Sequence, residues 1–289
     1  MVKRFVVSCV VGLLPVTVAR AAVHIDGDPV AYSTLEEALA AAPEGATVRL
    51  DKGYYSWSPI TIARDVTLIG HGAVVGGGLT NMAQFVVEEA SFALEGVAFE
   101  DFAGRVLHAL EGSSVVLRGI GLQPDTMTGP ILLQTTLASN VQVEDIVLND
   151  FTVSEGKLGS LVYGSASHMM IDNLVVKESL GVIDSVVHVV DTNLTISNTR
   201  FENVNATALA VGGDATVHVS DCMFSGLQSD QGAAIDAQGG RLTVEQSVFS
   251  DNVALTGAGG AIRAADVDVT ISGSRFEDLI ALLDGAALY

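Results

Sequence analysis

Residues 242–249 read LTVEQSVF. In this pattern two apolar residues are separated by one residue, a less regular polar segment follows, and the last position is apolar, here a phenylalanine. The pattern returns every 23 to 28 residues, at 92–99, 115–122, 141–148, 169–176, 194–201, 217–224, 242–249 and 269–276, with an earlier version at 66–73. A repeat of about 25 residues built on a short alternating, β-branched segment predicts a coil of two or three short strands, not a helix pair.

The residues between the repeats favour a stacked solenoid. Each repeat is followed by Gly, Asn, Asp or Ser, which enter tight turns easily. Coils stacked at about 4.8 Å per rung form parallel sheets whose inward side chains make one continuous core. The composition agrees, because aromatic residues make up 6% of the chain and 30 of its 289 residues are glycine. Small side chains of this kind fit the narrow interior of a parallel β-helix.

The N-terminus has the order of a secretory signal peptide. Lys3 and Arg4 precede an apolar stretch over 5–18, and the small residues Ala19 and Ala21 follow it. The apolar stretch is shorter than the roughly 20 residues of a membrane-spanning helix. We therefore predict a signal peptide over 1–21, cleaved after Ala21, and no integral membrane segment afterwards. An uncleaved anchor is the alternative.

The charge of the chain limits its possible partners, and its cysteine content limits its possible disulfides. The chain has 34 acidic and 14 basic residues, for a net charge of −20. Because nucleic acid and anionic membrane surfaces are also negatively charged, we expect neither to be a partner. Of the two cysteines, Cys9 leaves with the signal peptide, and Cys222 then has no partner for an intrachain disulfide. The fold is therefore expected to depend on its stacked core.

Residues 22–45 are predicted to form an N-terminal cap that contains a short helix. Ser33 or Thr34 can cap this helix, and Pro43 with Gly45 ends it. The helix has one small apolar face, made of Leu35, Ala38, Leu39 and Ala42. We expect it to lie across the open end of the first coil, where it blocks edge pairing.

The start of the repeat region resembles known β-helix proteins. GATVRL at 45–50, GYY at 53–55 and VTLIGHG at 66–72 are similar to the opening of pectin-lyase-like and pectin-methylesterase-like proteins. The resemblance implies a right-handed helix. The predicted fold is thus all-β, a single right-handed parallel β-helix of roughly 9–10 coils over residues 46–289, preceded by the capping helix.

The C-terminal third carries a second resemblance. FSDN at 249–252 is followed by GGAI at 259–262, and weaker versions of the pair flank it. This pair resembles the FxxN and GGA(I/L/V) repeats of polymorphic outer-membrane proteins, which implies a secreted or cell-surface, outer-membrane-associated protein. The matching residues are expected to be structural, and they are Phe201, Phe224, Phe249, Asn252, Gly259, Gly260, Ala261, Ile262 and Phe276.

Each of these residues has an expected place. Gly259 and Gly260 should form a turn, and Ala261 and Ile262 should lie on the two faces of the next strand. The phenylalanines, one coil apart, should stack in the core. A phosphate-binding loop is the alternative for the glycines, but GxxxxGK[ST] is absent and GxGxxG lacks its βαβ context.

The sequence identifies no catalytic, cofactor or metal residue. GHG at 70–72 resembles a polygalacturonase motif, but no RIK and no Asp-Asp pair accompany it, so we expect His71 to be structural. No HxH or HExxH spacing occurs. Polar residues at the same position of five successive repeats should form a column along the solenoid. We expect this column to be a hydrogen-bonded ladder and not a calcium site, and its members are Asp145, Asn173, Asn198, Asp221 and Gln246.

These observations favour an exported, non-enzymatic surface protein that presents a face for adhesion or carbohydrate contact, with glycans or a host or cell surface as partners. A polysaccharide-acting lyase, hydrolase or esterase of the pectin-lyase-like class is the alternative. A cleft lined by carboxylates and an Arg or Lys would favour the enzyme, and a smooth face the binding module. Because the sequence ends at Tyr289 within a repeat, either a longer protein or end-to-end self-association is expected.

Overall fold

The chain forms a parallel β-solenoid, as the repeat predicted. The computed structural model describes residues 22–76, 83–100, 105–122, 131–137, 140–149, 159–178 and 184–289, so the predicted signal peptide over 1–21 lies outside the described residues. Strands of successive coils pair in parallel; for example, Leu242 pairs with Val217 on one side and Val269 on the other. The coils contribute to three sheets.

Each of the strands described below belongs to one of three sheets, called here A, B and C. The 18 strands of sheet A are Val23–Ile25, Ala31–Tyr32, Ala46–Leu50, Gly53–Tyr55, Val66–Gly76, Ser91–Glu100, Ser114–Arg118, Gly121–Leu122, Asn140–Asn149, His168–Lys177, Asn193–Ser197, Arg200–Glu202, Thr216–Ser220, Met223–Ser225, Arg241–Glu245, Val248–Ser250, Asp268–Ser272 and Arg275–Glu277. The nine of sheet B are Ile60–Ile62, Ala83–Val87, Arg105–Ala109, Ile131–Thr136, Ser160–Ser165, Ser185–Val190, Thr207–Gly212, Ile235–Gln238 and Ile262–Ala265. The three of sheet C are Gln228–Ser229, Val253–Ala254 and Ile280–Ala281. Counted within the described residues, sheet B contains nine paired strands, and the solenoid makes about seven turns where roughly 9–10 coils were predicted.

Sheet A turns a corner at the predicted polar column. All five members have a left-handed backbone, with φ between 47° and 53°. In the strand Asn140–Asn149, Glu144 and Asp145 both face outward, and the buried alternation restarts at Ile146. Short polar residues tolerate this conformation better than most other side chains, which explains why Asp and Asn recur at the corner.

The predicted ladder forms over one step of this column. Asn173 Nδ2 donates to Asp145 Oδ1 at 2.9 Å. Asn198 Nδ2 instead donates to Asp172 Oδ1 at 2.8 Å, an oxygen that also accepts from the Ser197 hydroxyl. A continuous ladder was therefore the wrong prediction, because a carboxylate beside the column attracts the third amide more favourably than a second amide does.

The prediction that Ala261 and Ile262 lie on opposite faces of a strand is wrong. Both side chains are fully buried. The strand begins only at Ile262, so Ala261 still belongs to the preceding turn, where two successive residues face the core. Gly259, with φ of 75°, starts this turn. A β-carbon at Gly260 would lie 2.5 Å from the Ala286 carbonyl oxygen of the next coil, so only glycine fits there.

The N-terminal cap contains helix α1, Leu35–Ala41. The Thr34 hydroxyl oxygen accepts from the Glu37 amide at 3.1 Å, which satisfies one free donor of the first turn. Leu35 and Ala38 are buried against the start of the solenoid, where Val23–Ile25 pairs antiparallel with Ala46–Leu50. Within the described part of the chain, no helix is long and apolar enough to cross a membrane.

Candidate functional site

The register of sheet B aligns one outward-facing residue from each of seven successive strands. Paired positions in parallel strands point to the same face of a sheet, and these residues alternate with fully buried neighbours. The column consists of His108, Gln134, Tyr163, His188, Ala210, Asp236 and Arg263. It is therefore a polar stripe along the outside of the solenoid, interrupted by one alanine.

The alanine creates a hollow in the stripe. Ala210 and Gly212 supply the outward positions of the strand Thr207–Gly212 and have almost no side chain. His188 pairs with Ala210 on one side, and Asp236 with Gln238 flanks the strand on the other. The hollow has a volume of about 340 Å³, with Ala210 and Gly212 as its floor and the larger side chains as its walls.

A larger cleft of about 780 Å³ adjoins this hollow. The two share four lining residues, so they form one continuous depression, called here the sheet-B cleft. The shared residues are Asp184, Thr207, Asp236 and Gln238. The larger part extends from the sheet toward sheet C and adds mostly polar side chains, among them Asn205, Gln228, Asp230, Gln231 and Arg263.

The charges of the cleft are unevenly paired. Arg263 Nη1 contacts Asp236 Oδ1 at 2.8 Å, and both side chains are less than one quarter exposed. Gln238 Nε2 donates to the other oxygen of Asp236 at 3.4 Å. Among the described residues, the carboxylates of Asp184 and Asp230 make no hydrogen bond or ion pair. The cleft therefore offers two free carboxylates, while its guanidinium is already engaged.

The His188 ring lines the hollow and is supported by a second aromatic ring. The Tyr163 and His188 rings meet edge to face, with their centroids 5.3 Å apart. Burial lowers the pKa of His188 below its usual 6.5, an effect that the negative charge of Asp184 partly opposes. The imidazole is consequently neutral at pH 7, so it can accept a proton or a hydrogen bond.

The residues singled out in the sequence lie elsewhere. The phenylalanine column, Phe201, Phe224, Phe249 and Phe276, occupies the interior, and the first three are fully buried. His71 is exposed on the sheet A strand Val66–Gly76 and does not line the sheet-B cleft. The described residues contain no group of three or more His, Cys, Asp or Glu side chains that could hold a metal ion.

Sequence reasoning missed the residues of the cleft. Asp184, His188, Asp236 and Arg263 belong to no recognisable motif, and the alternation of the repeat is most regular in sheet A, not in sheet B. Aligning the chain on the buried pairs that open the strands of sheet B, such as Ala208 and Leu209, would have placed His188, Ala210 and Asp236 in one column.

Comparison with known proteins adds no functional assignment. No protein-family model matches the chain, and no curated protein matches it. Among solved structures, it is similar to a mutant of the periplasmic alginate epimerase AlgG, at 9% identity over 100% of both chains and with a TM-score of 0.28. A likeness at this level assigns no function to the chain.

Proposed function

We propose that this chain is an exported β-solenoid that binds a saccharide in the sheet-B cleft. The observation that carries the proposal is the hollow over Ala210 and Gly212, set between His188 and Asp236 on an otherwise continuous polar stripe. A concave site with a few convergent polar groups is the usual form of a small-ligand site.

The chemistry of the lining suits a sugar. Carboxylates accept hydrogen bonds from hydroxyl groups, and the amides of Asn205, Gln228 and Gln238 both donate and accept them. The His188 ring, against which Tyr163 packs, gives the wall an aromatic surface that can contact the C–H face of a pyranose. The solenoid fixes these groups on rigid strands, which lowers the entropic cost of binding.

Filling the hollow tests the proposal. We expect Ala210→Phe to lower saccharide affinity at least tenfold, because the new ring occupies the floor of the cleft. Ala93→Phe is the matched control, since Ala93 is an outward-facing alanine on sheet A. Binding is measured by glycan array and then by calorimetry. Equal affinity for both variants and the parent chain would locate the binding site elsewhere, and the absence of any saccharide ligand would refute the proposal.

A polysaccharide-acting enzyme is the second candidate. It is favoured by the carboxylates and Arg263 in one cleft, and by the neutral imidazole of His188, which suits a general base. Product release from bound glycans separates the two functions. If the protein is an enzyme that uses His188, His188→Gln should abolish turnover and leave binding largely intact; if no glycan is cleaved by the parent chain, the binding module stands.

Export is a separate element of the proposal and rests on the N-terminal sequence. Lys3, Arg4 and the apolar stretch that follows predict cleavage after Ala21. Intact-mass analysis of the secreted protein should therefore show a chain that begins at Ala22. Recovery of the uncleaved chain in the cell would contradict export.

A further inference from the structure

We infer that the saccharide bound in the sheet-B cleft carries free amino groups, as a glucosamine oligomer does, and is not a uronate. This inference rests on the proposed saccharide-binding function and concerns the charge of the ligand.

The paired charges of the cleft argue against a uronate. A carboxylate sugar is bound most strongly by a free cation, and Arg263 is the basic residue that lines the cleft. Its Nη1 is held 2.8 Å from Asp236 Oδ1, in a site where both side chains are largely buried. The charge of Arg263 is thus already compensated, and a uronate that used its remaining donors would lie beside the Asp236 carboxylate and be repelled by it, which makes Arg263 a poor anion receptor.

The unpaired charges argue for an ammonium group. Asp184 and Asp230 line the same cleft, and within the described part of the chain neither carboxylate has a hydrogen-bond or ion-pair partner. An ammonium group donates three hydrogen bonds and can pair with either carboxylate, whereas a uronate would be repelled by them. The neighbouring amides remain free for sugar hydroxyls.

A bridging metal ion could in principle let acidic residues hold an acidic sugar. The side chains of the cleft do not provide such a site, since no group of three or more potential ligands is found in the described residues. Calcium needs about six to eight oxygen ligands. Direct pairing with a cationic sugar is therefore the interaction that this lining supports.

Two oligosaccharides that differ only in N-acetylation, which removes the amine charge, test the inference. A glucosamine hexamer and the N-acetylglucosamine hexamer have the same backbone, and a galacturonate hexamer supplies the opposite charge. Calorimetry with the purified chain at pH 6 and low salt should show the glucosamine hexamer binding about tenfold more tightly than its acetylated counterpart, with weak or no binding of the galacturonate. The affinity should fall as salt is raised.

Matched variants locate the effect. Asp184→Asn and Asp230→Asn should each weaken glucosamine binding about five- to tenfold and leave binding of the acetylated hexamer nearly unchanged. Asp268→Asn, on the exposed face of sheet A, is the control for general attraction to an acidic protein. An equal loss in the control, a preference for galacturonate, or equal binding of both glucosamine forms would overturn the inference.

The outcomes also separate this inference from the proposed function. Equal binding of both glucosamine forms in the cleft leaves the saccharide-binding function in place and removes the charge selectivity. A preference for galacturonate that disappears with EDTA would mean a metal-bridged site and overturn the inference alone. If none of the three hexamers and no glycan on the array binds, the proposed function fails and this inference fails with it.

Discussion

The rings of Phe224 and Phe249 lie 4.8 Å apart between centroids and are tilted by only 4°. The spacing equals the distance between neighbouring strands of a sheet, because the two residues pair in register on adjacent coils. Phe201 continues the stack on one side at 5.3 Å and Phe276 on the other at 4.8 Å. The column is thus a direct product of the repeat and ties four coils together.

Truncation of the middle ring should be costly. Phe249 is fully buried between two other rings, so Phe249→Ala removes contacts on both sides and leaves a cavity. We expect a loss of about 3 to 5 kcal/mol in the free energy of unfolding. Phe276→Ala is the control and should cost less, since Phe276 is only partly buried. Denaturant titration measures both, and equal losses would contradict the argument.

Asn252 should contribute through two buried hydrogen bonds to the preceding coil. Its Oδ1 accepts from the Leu227 amide at 3.0 Å, and its Nδ2 donates to the Phe224 carbonyl at 3.0 Å. Asn252→Ala leaves both backbone groups buried and unpaired, which should cost about 1 to 3 kcal/mol. Asn193→Ala, at an exposed position, should change stability by less than about 0.5 kcal/mol. Thermal melts that do not distinguish the two variants would refute this role.

At the corner of sheet A, substitution of Gln246 by glycine and by valine should have opposite effects on stability. Gln246 has φ of 47°, a conformation that glycine adopts without strain and a β-branched residue resists. Gln246→Gly should maintain or raise the melting temperature, and Gln246→Val should lower stability by roughly 1 to 2 kcal/mol. Thr243→Val, in the neighbouring extended strand, tests whether valine itself is harmful. A neutral Gln246→Val would show that the corner is not strained.

The buried thiol should be unreactive in the folded protein. Cys222 is 3% exposed, and burial raises its pKa from 9.0 to about 11. At pH 8 this shift lowers the thiolate fraction about a hundredfold. In a Cys9→Ala background, alkylation by iodoacetamide should therefore be slow in buffer and fast in guanidinium chloride. Equal rates under the two conditions would mean that Cys222 is accessible in the folded chain.

His188 should make the fold less stable in weak acid. Burial lowers its pKa in the folded state, so the unfolded chain binds the extra proton first as pH falls through about 6.5. The stability present at pH 7 is then lost progressively below pH 6.5, down to the folded pKa. His188→Gln should flatten the fall in melting temperature between pH 7 and 5. A slope identical to that of the parent chain would exclude His188 as a cause.

The sequence was sufficient for the architecture because the architecture is local and periodic. A buried residue at every second position, interrupted by a turn residue at a fixed offset, specifies the strand, its inward face and the length of a coil. Stacking then follows from the repeat, so pairs such as Phe224 with Phe249 could be predicted. The corner positions followed as well, since Asp221 and Gln246 stand where the alternation breaks.

The sequence did not predict which side chains face the core where the chain enters a strand of sheet B. Ala261 and Ile262 are both buried because the chain bends between them and the strand begins late. A period of two residues predicts opposite faces only within an extended strand, and the sequence does not mark where the bend ends. Asn198 shows the same limit, since its amide could reach either of two partners and the structure selects Asp172.

What the sequence by itself determined was the stacked β-solenoid with its capping helix, because apolar periodicity and turn residues act within one coil and repeat in the next. The tertiary structure decided the sheet-B cleft. His188, Ala210, Asp236 and Arg263 come from four coils whose connecting turns differ in length, and only the parallel register places them in one column. The hollow exists because the Ala210 side chain is smaller than its neighbours in the column, and only the pairing of the strands shows which side chains those neighbours are.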